Sequence, residues 1–159
     1  MTDRGHLANQ AWEALLTAHA VLLKQFAAED TWADVSLREY DVLYTLSKCP
    51  GPLRLSELNR HVLLSQPALS RLVDRLAERG LVERLPDPAD GRGVRLSLTE
   101  DGRAVQRAIG RRHARSVARA RTAGLSAGEL AQLETLCRKL AGRSAARVTA
   151  DGPGEVLIP

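Results

Sequence analysis

Ser65-Gln66-Pro67-Ala68-Leu69-Ser70-Arg71-Leu72-Val73-Asp74-Arg75-Leu76 is the stretch on which the fold turns. Leu69, Leu72, Val73 and Leu76 recur at helical spacing and share one face. Ser65 offers the side-chain oxygen that a helix start needs. Pro67 is tolerated in the first turn, where its missing N–H would have had no partner. Arg79-Gly80 ends the run, with Gly80 as the C-terminal cap. The opposite face carries Gln66, Ser70, Arg71, Asp74 and Arg75, polar side chains for which a core has no use.

Upstream, Leu55, Leu58 and Val62 mark one face of a shorter helix, joined to the first by the tight connection Leu63-Leu64-Ser65. Downstream, Leu81-Val82-Glu83-Arg84-Leu85 has strand character, and Val94-Arg95-Leu96-Ser97-Leu98 alternates strictly. Pro86-Asp87-Pro88-Ala89-Asp90-Gly91-Arg92-Gly93 lies between them, and its composition predicts a loop throughout. Two short helices followed by a hairpin is the order of a winged helix-turn-helix.

The flanks are helical. From about Leu7 to Ala28, Trp12, Leu16, His19, Leu23 and Phe26 form one stripe, widened by Leu15 and Leu22. Ser36 and Glu39 make a capping box for a helix burying Leu37, Tyr40, Leu43 and Leu46, which stops at Cys49-Pro50-Gly51-Pro52. Thr99, with Glu100 and Asp101 in the first turn, opens a long helix running to about Arg121. After Gly124-Leu125, Ser126 and Glu129 open a last helix whose expected buried stripe is Leu130, Leu133, Cys137 and Leu140. Residues 143–159 have the composition of a flexible tail. The fold class is mainly α with a small β-hairpin wing, in one structural domain.

Composition agrees. The 159 residues are 44% apolar but only 3% aromatic, so Leu, Val and Ala must fill the core, which favours packed helices. The net charge of +4 is unevenly spread. Residues 1–53 hold 4 basic and 7 acidic side chains, for −3, whereas 54–98 hold 8 and 6, for +2. Residues 99–121 hold 7 and 2, for +5, and 122–159 balance at 4 and 4. Positive charge in the middle of the chain suits an anionic partner. A genome of biased base composition would also enrich arginine, which supplies 20 of the 23 basic residues. No apolar run near the amino terminus suggests a signal peptide or membrane span, so the cytoplasm is the expected location, with no membrane partner.

The same residues resemble the MarR family of transcriptional regulators. The resemblance is carried by Ser65 to Leu76, Gly80-Leu81-Val82-Glu83-Arg84, Asp90-Gly91-Arg92, Leu96 and Leu98-Thr99, in that order. It covers residues 36–105 well, and the flanking helices fit by pattern. One departure is visible: the wing tip often carries two adjacent arginines after the aspartate, and Gly91 takes the first place here. The resemblance implies a homodimer held by the terminal helices, with two winged modules on a palindromic operator in double-stranded DNA. It also implies a pocket for a small aromatic or phenolic effector. In these terms residues 1–35 form an N-terminal dimerisation helix and 36–98 the DNA-binding region. Residues 99–142 supply the long helix and a C-terminal dimerisation helix.

The DNA-contact candidates are Ser65, Gln66, Pro67, Ser70, Arg71 and Arg75 on the second helix of the motif, and Asp90 and Arg92 in the wing. Arg71 can grip guanine through two hydrogen bonds. The plainer alternative is a solvated face with Arg71–Asp74 and Arg75–Glu78 pairs, and Ser65 can serve as a cap alone. Arg92 suits a minor groove, with Asp90 holding it or the loop backbone. Arg103, Arg107, Arg111, Arg115 and Arg119 form a stripe best read as a solvated helix face. His19, the one polar member of its stripe, can line an effector pocket with Tyr40 or Tyr44, or be a satisfied interface residue.

No catalytic motif, metal-ligand spacing or cofactor loop is present. Cys49 and Cys137 are expected to be buried and inert. The function expected is a dimeric, sequence-specific DNA-binding regulator, a repressor relieved by a small effector. The alternatives are a regulator without an effector and a winged helix used for protein–protein contact.

Overall fold

The computed structural model describes residues 3–122 and 124–142. The chain runs α1 (Asp3–Ala27), α2 (Leu37–Lys48), β1 (Leu53–Arg54), α3 (Leu55–Leu58), α4 (Gln66–Glu78), β2 (Val82–Asp87), β3 (Asp90–Leu98), α5 (Glu100–Thr122) and α6 (Ala127–Leu140). The sheet is antiparallel, ordered β1-β3-β2, with Leu53 opposite Leu96 and Val82 opposite Leu98. The tail expected over residues 143–159 lies outside the described residues.

Local chemistry sets most of the helix starts. Ser36 accepts from Glu39 N while Glu39 Oε2 accepts from Ser36 N, at 3.2 and 2.8 Å. Ser126 and Glu129 repeat the exchange at 3.3 and 2.7 Å. Each such pair satisfies two amides that the helix leaves open. Thr99 Oγ1 accepts from Gly102 N at 3.0 Å and donates to Gly80 O at 2.6 Å, pinning the start of α5 to the end of α4. At that junction Gly80 takes φ +69°, a conformation that costs glycine little. Gly102 is required for a different reason. A Cβ there would stand 1.9 Å from Leu81 O.

The core lies where α2, α3, α4 and the sheet meet α5. Val42, Leu43, Leu58, Leu69, Val73 and Leu76 are fully buried in it. Burial of each contributes about 1.5–3 kcal/mol. Phe26, Trp32, Tyr40 and the buried His113 form a ring cluster that joins α1, the α1–α2 connection and α2 to α5.

The structure corrects four expectations. Residues 86–93 are mostly strand: β2 runs through Asp87, β3 begins at Asp90, and only Pro88 and Ala89 turn. Pro86 is accommodated opposite Val94 because β2 is an edge strand, where a missing N–H breaks no inner ladder. Leu53-Arg54 forms a third strand that two residues were too few to announce. The α3 helix is one turn, Leu55–Leu58, and Asn59 Nδ2 closes the following bend onto Leu64 O at 2.8 Å. Finally, α6 buries no residue within the chain. Leu133 and Leu140 are exposed, as is Cys137, and Cys49 is half-buried. The stripe has the expected period but its cover is not among the described residues.

Candidate nucleic-acid interface

The helix α4 is amphipathic in the strict sense. Leu69, Leu72, Val73 and Leu76 are buried, while Gln66, Pro67, Arg71 and Arg75 are exposed and Ser70 is half-buried. Ser65 is the N-cap, its hydroxyl accepting from Ala68 N at 3.4 Å, and Pro67 sits in the first turn. The N-terminal end of α4 therefore presents short polar side chains and open amides, the features that meet phosphate and base edges. The intrahelical pairs that would have neutralised this face are absent among the described residues. Asp74 pairs with Arg84 of β2 instead, tying the helix to the wing. Arg71 and Arg75 carry no ion pair among the described residues.

The wing is braced from within. The Asp87 side chain is fully buried and takes Arg54 Nε of β1 at 2.5 Å, Arg95 Nε of β3 at 3.1 Å and Ala89 N of the turn at 3.0 Å. The Ala89 amide first, then the two guanidiniums, hold its carboxyl down at about 2 against the cost of burial. Arg95 also reaches Pro52 O at 3.2 Å. Asp90 Oδ1 accepts from Arg92 N at 3.1 Å, so the aspartate fixes backbone and leaves the Arg92 side chain exposed. Arg92 stands on β3 beyond the turn, not in a loop. The part of Asp87 was missed in the sequence because its partners lie 33 and 8 positions away and nothing local marks them. Arg103, Arg107, Arg111, Arg115 and Arg119 are all exposed on α5.

The three effector candidates are not gathered in one place by any contact described. Tyr40 is buried and Tyr44 half-buried, their rings stacked at 5.8 Å and 26°. Lys48 Nζ lies 5.1 Å from the Tyr44 ring centre. Burial pushes the Tyr40 hydroxyl above its ordinary value. His19 is half-buried on α1, and its Nε2 has no hydrogen-bond partner among the described residues. A cleft of about 100 Å³ opens between α1, α2 and the bend after α3, and none of the three lines it. The Cys49 thiol donates to Thr45 O at 3.3 Å, and burial raises its pKa. Among the described residues no cluster of metal-ligating side chains occurs, and no helix is long and apolar enough to cross a membrane.

A serine-capped helix held beside a braced hairpin, with arginines left open on both, has the architecture of a winged helix-turn-helix DNA-binding protein. Residues 33–93 match the model of the MarR family. The multiple antibiotic resistance protein MarR of Salmonella typhimurium is 36% identical over 107 residues, which span 67% of this chain and 74% of that protein. Sco3205, a MarR family transcriptional regulator from Streptomyces coelicolor solved in complex with DNA, superposes with a TM-score of 0.73. It is 26% identical, over 89% of this chain and 88% of that one. The PcaV transcriptional regulator of the same organism, solved in complex with its natural ligand, gives 0.59 at 35% identity, over 92% and 95%. The chain belongs to the MarR family. It is a DNA-binding transcriptional regulator and not an enzyme.

Proposed function

We propose that the protein is a homodimeric repressor that reads a palindromic operator with α4, steadies itself in the flanks with the wing, and lets go when a small aromatic or phenolic effector binds. The observation that carries this is the open arginine row of α4. Arg71 and Arg75 are exposed beside a capped helix start, without the carboxylate partners that their helix could have supplied. Ser65, Gln66, Pro67 and Ser70 occupy the end that enters the groove, Arg71 reads a base, and Arg75 follows the backbone. Arg92 reaches the flanking minor groove and Asp90 sets its backbone.

Dimerisation is supported by exposed apolar side chains on the two terminal helices. Leu7, Trp12, Leu16 and Val21 lie open on α1, as do Leu133, Leu136 and Leu140 on α6. Isolated exposed leucines are ordinary, but Trp12 and Leu16 on one face of α1, together with the Leu133, Leu136 and Leu140 stripe of α6, are apolar patches of the kind that a partner subunit covers. A bound dimer that occludes a promoter represses by position alone. The effector is supported by the relative PcaV, whose structure holds its natural ligand. A ligand of that kind acts by binding better to a conformation whose recognition helices are wrongly spaced.

Binding of wild type and Arg71→Ala to operator and random duplex tests the base contact. Loss of one bidentate contact costs about 1–3 kcal/mol per half-site on operator and much less on random duplex. An equal loss on both would mean that Arg71 holds only phosphate.

A further inference from the structure

The register of the wing shows which of its side chains share a face. Val82, Arg84 and Pro86 of β2 stand opposite Leu98, Leu96 and Val94 of β3. Val82, Leu96 and Leu98 are buried, so this is the face turned towards the core and α4. Arg95 and its β1 partner Arg54 lie on the other face, where both are committed to Asp87. Arg84 is thus the one arginine of the paired strands on the α4 side. Its Nη2 donates to Asp74 Oδ1, on the polar face of α4 three positions after Arg71. The two side chains remain 45% and 49% exposed, so the pair sits in open solvent at the seam between recognition helix and wing. A pair that exposed adds little to the fold. Burial of Val82, Leu96 and Leu98 already holds the hairpin in place.

The seam is where a duplex must lay its backbone. With α4 in a major groove and Arg92 in the flanking minor groove, the strand that divides the two grooves crosses between them. Arg84 is the cation on that crossing. Its guanidinium has a planar fork of N–H donors, of which only Nη2 is engaged among the described residues. The fork suits a phosphate, which accepts two parallel hydrogen bonds from arginine. Towards the tip, the next pair on this face is Pro86 and Val94, and Val94 is exposed. That apolar step matches the sugar edge of a backbone and offers nothing to a base.

We infer that Arg84 is a further DNA-contacting residue, which grips a phosphate of the strand between the two grooves in each half-site, with Asp74 as the positioning residue that aims it. Asp74 by itself would repel that phosphate. Paired, it holds one nitrogen of the guanidinium and leaves the other donors for DNA. The contact carries no sequence information. It sets the register of the protein on the duplex, so that Arg71 and Arg92 reach their grooves together. The inference rests on the placement of α4 and the wing proposed above, but not on Arg71 reading a base.

The test uses the full-length wild type, Arg84→Ala, Arg84→Gln and Asp74→Asn. Each is titrated with random-sequence duplex over a salt series, and with an operator selected by the wild type. Arg84→Ala should weaken binding to both duplexes by the same factor, about tenfold, and lower the salt slope by about one per subunit. Arg84→Gln keeps a donor for Asp74 without the charge, so it should match Arg84→Ala even if the alanine variant folds poorly. Asp74→Asn keeps the guanidinium and an acceptor oxygen. It should retain the slope and lose no more than about threefold. Replacing single operator phosphates by neutral methylphosphonate locates the contact. Wild type should lose about tenfold at a phosphate between the α4 site and the flank, and Arg84→Gln should lose nothing further there. An unchanged slope in Arg84→Gln, losses in Asp74→Asn as large as in Arg84→Ala, or a penalty at that phosphate that survives in Arg84→Gln each overturn the assignment. Failure of the regulator itself shows differently, as a wild type that binds operator no better than random duplex.

Discussion

Two aspartates with opposite surroundings show how much a single residue decides. Asp87 is surrounded by donors and its carboxyl is held at about 2, below its ordinary 3.8. Its stabilising effect is complete above pH 3.8 and is lost as pH falls towards 2. Asp41 lacks such donors and is raised from 3.8 to about 7, so its ionisation weakens the fold above pH 7 and that penalty fades as pH drops. Wild type should therefore gain on the order of 2 kcal/mol over Asp41→Asn between pH 8 and pH 5. Between pH 4 and pH 2 it should lose stability relative to Asp87→Asn, which has no carboxylate left to protonate. Urea unfolding of the three proteins across pH checks both slopes, and parallel profiles would refute the assignment. Asp87→Asn should also loosen the wing at neutral pH, seen as faster amide exchange in β1 and β3. Neither aspartate advertises itself in the sequence. Ser36 and Ser126 could be recognised as caps because Glu39 and Glu129 follow at the required spacing, whereas Asp87 is completed by Arg54 from across the sheet.

Among the elements, α4 was legible in full, since period, cap and terminator are all local. The wing was half legible. Its glycines, prolines and aspartates argued for a loop, yet β3 begins at Asp90 and leaves only Pro88 and Ala89 in the turn, with a bulge over residues 91–93. The consequence concerns Arg92, which sits in that bulge with its backbone fixed by Asp90 instead of swinging on a long loop. Such an arginine reads groove width, so operators with A·T flanks should bind better than those with G·C flanks. Arg92→Ala should abolish most of that preference and lower the salt slope by about one, while discrimination beneath Ser70 and Arg71 survives. Binding to operators that differ only in their flanks, over a salt series, decides it. A wild-type preference retained by the mutant would make the wing a bystander. The contact between α5 and the wing was not legible either, because a glycine in a helix gives no sign of what abuts it. Gly102→Ala places a methyl against Leu81 O and should cost at least about 1–3 kcal/mol in thermal or urea unfolding. Unaltered stability would show that the start of α5 can move aside.

For the whole molecule, the sequence revealed two terminal stripes and the structure shows how little of them one chain covers. Trp12 and Leu16 remain about half exposed, at 55% and 47%, and Leu140 reaches 68%. No other described residue of the chain buries them, so folding and pairing should be one event. The melting temperature should rise with protein concentration, and sedimentation at micromolar concentration should find no folded monomer. A compact monomer with a concentration-independent transition would contradict the dimer. Positive charge, gathered on the faces of α4, β3 and α5, then acts from both halves of the pair and quickens the approach to DNA. The bare α6 helix has one further consequence, and it is genetic. A subunit that keeps α1 and α6 but has lost Arg71 will still be taken up as a partner, and it will spoil the intact subunit joined to it. Alleles altered in α4 or the wing should therefore be dominant over wild type in a cell that carries both. Alleles that truncate the chain before Ser126 should be recessive, because their products find no mate.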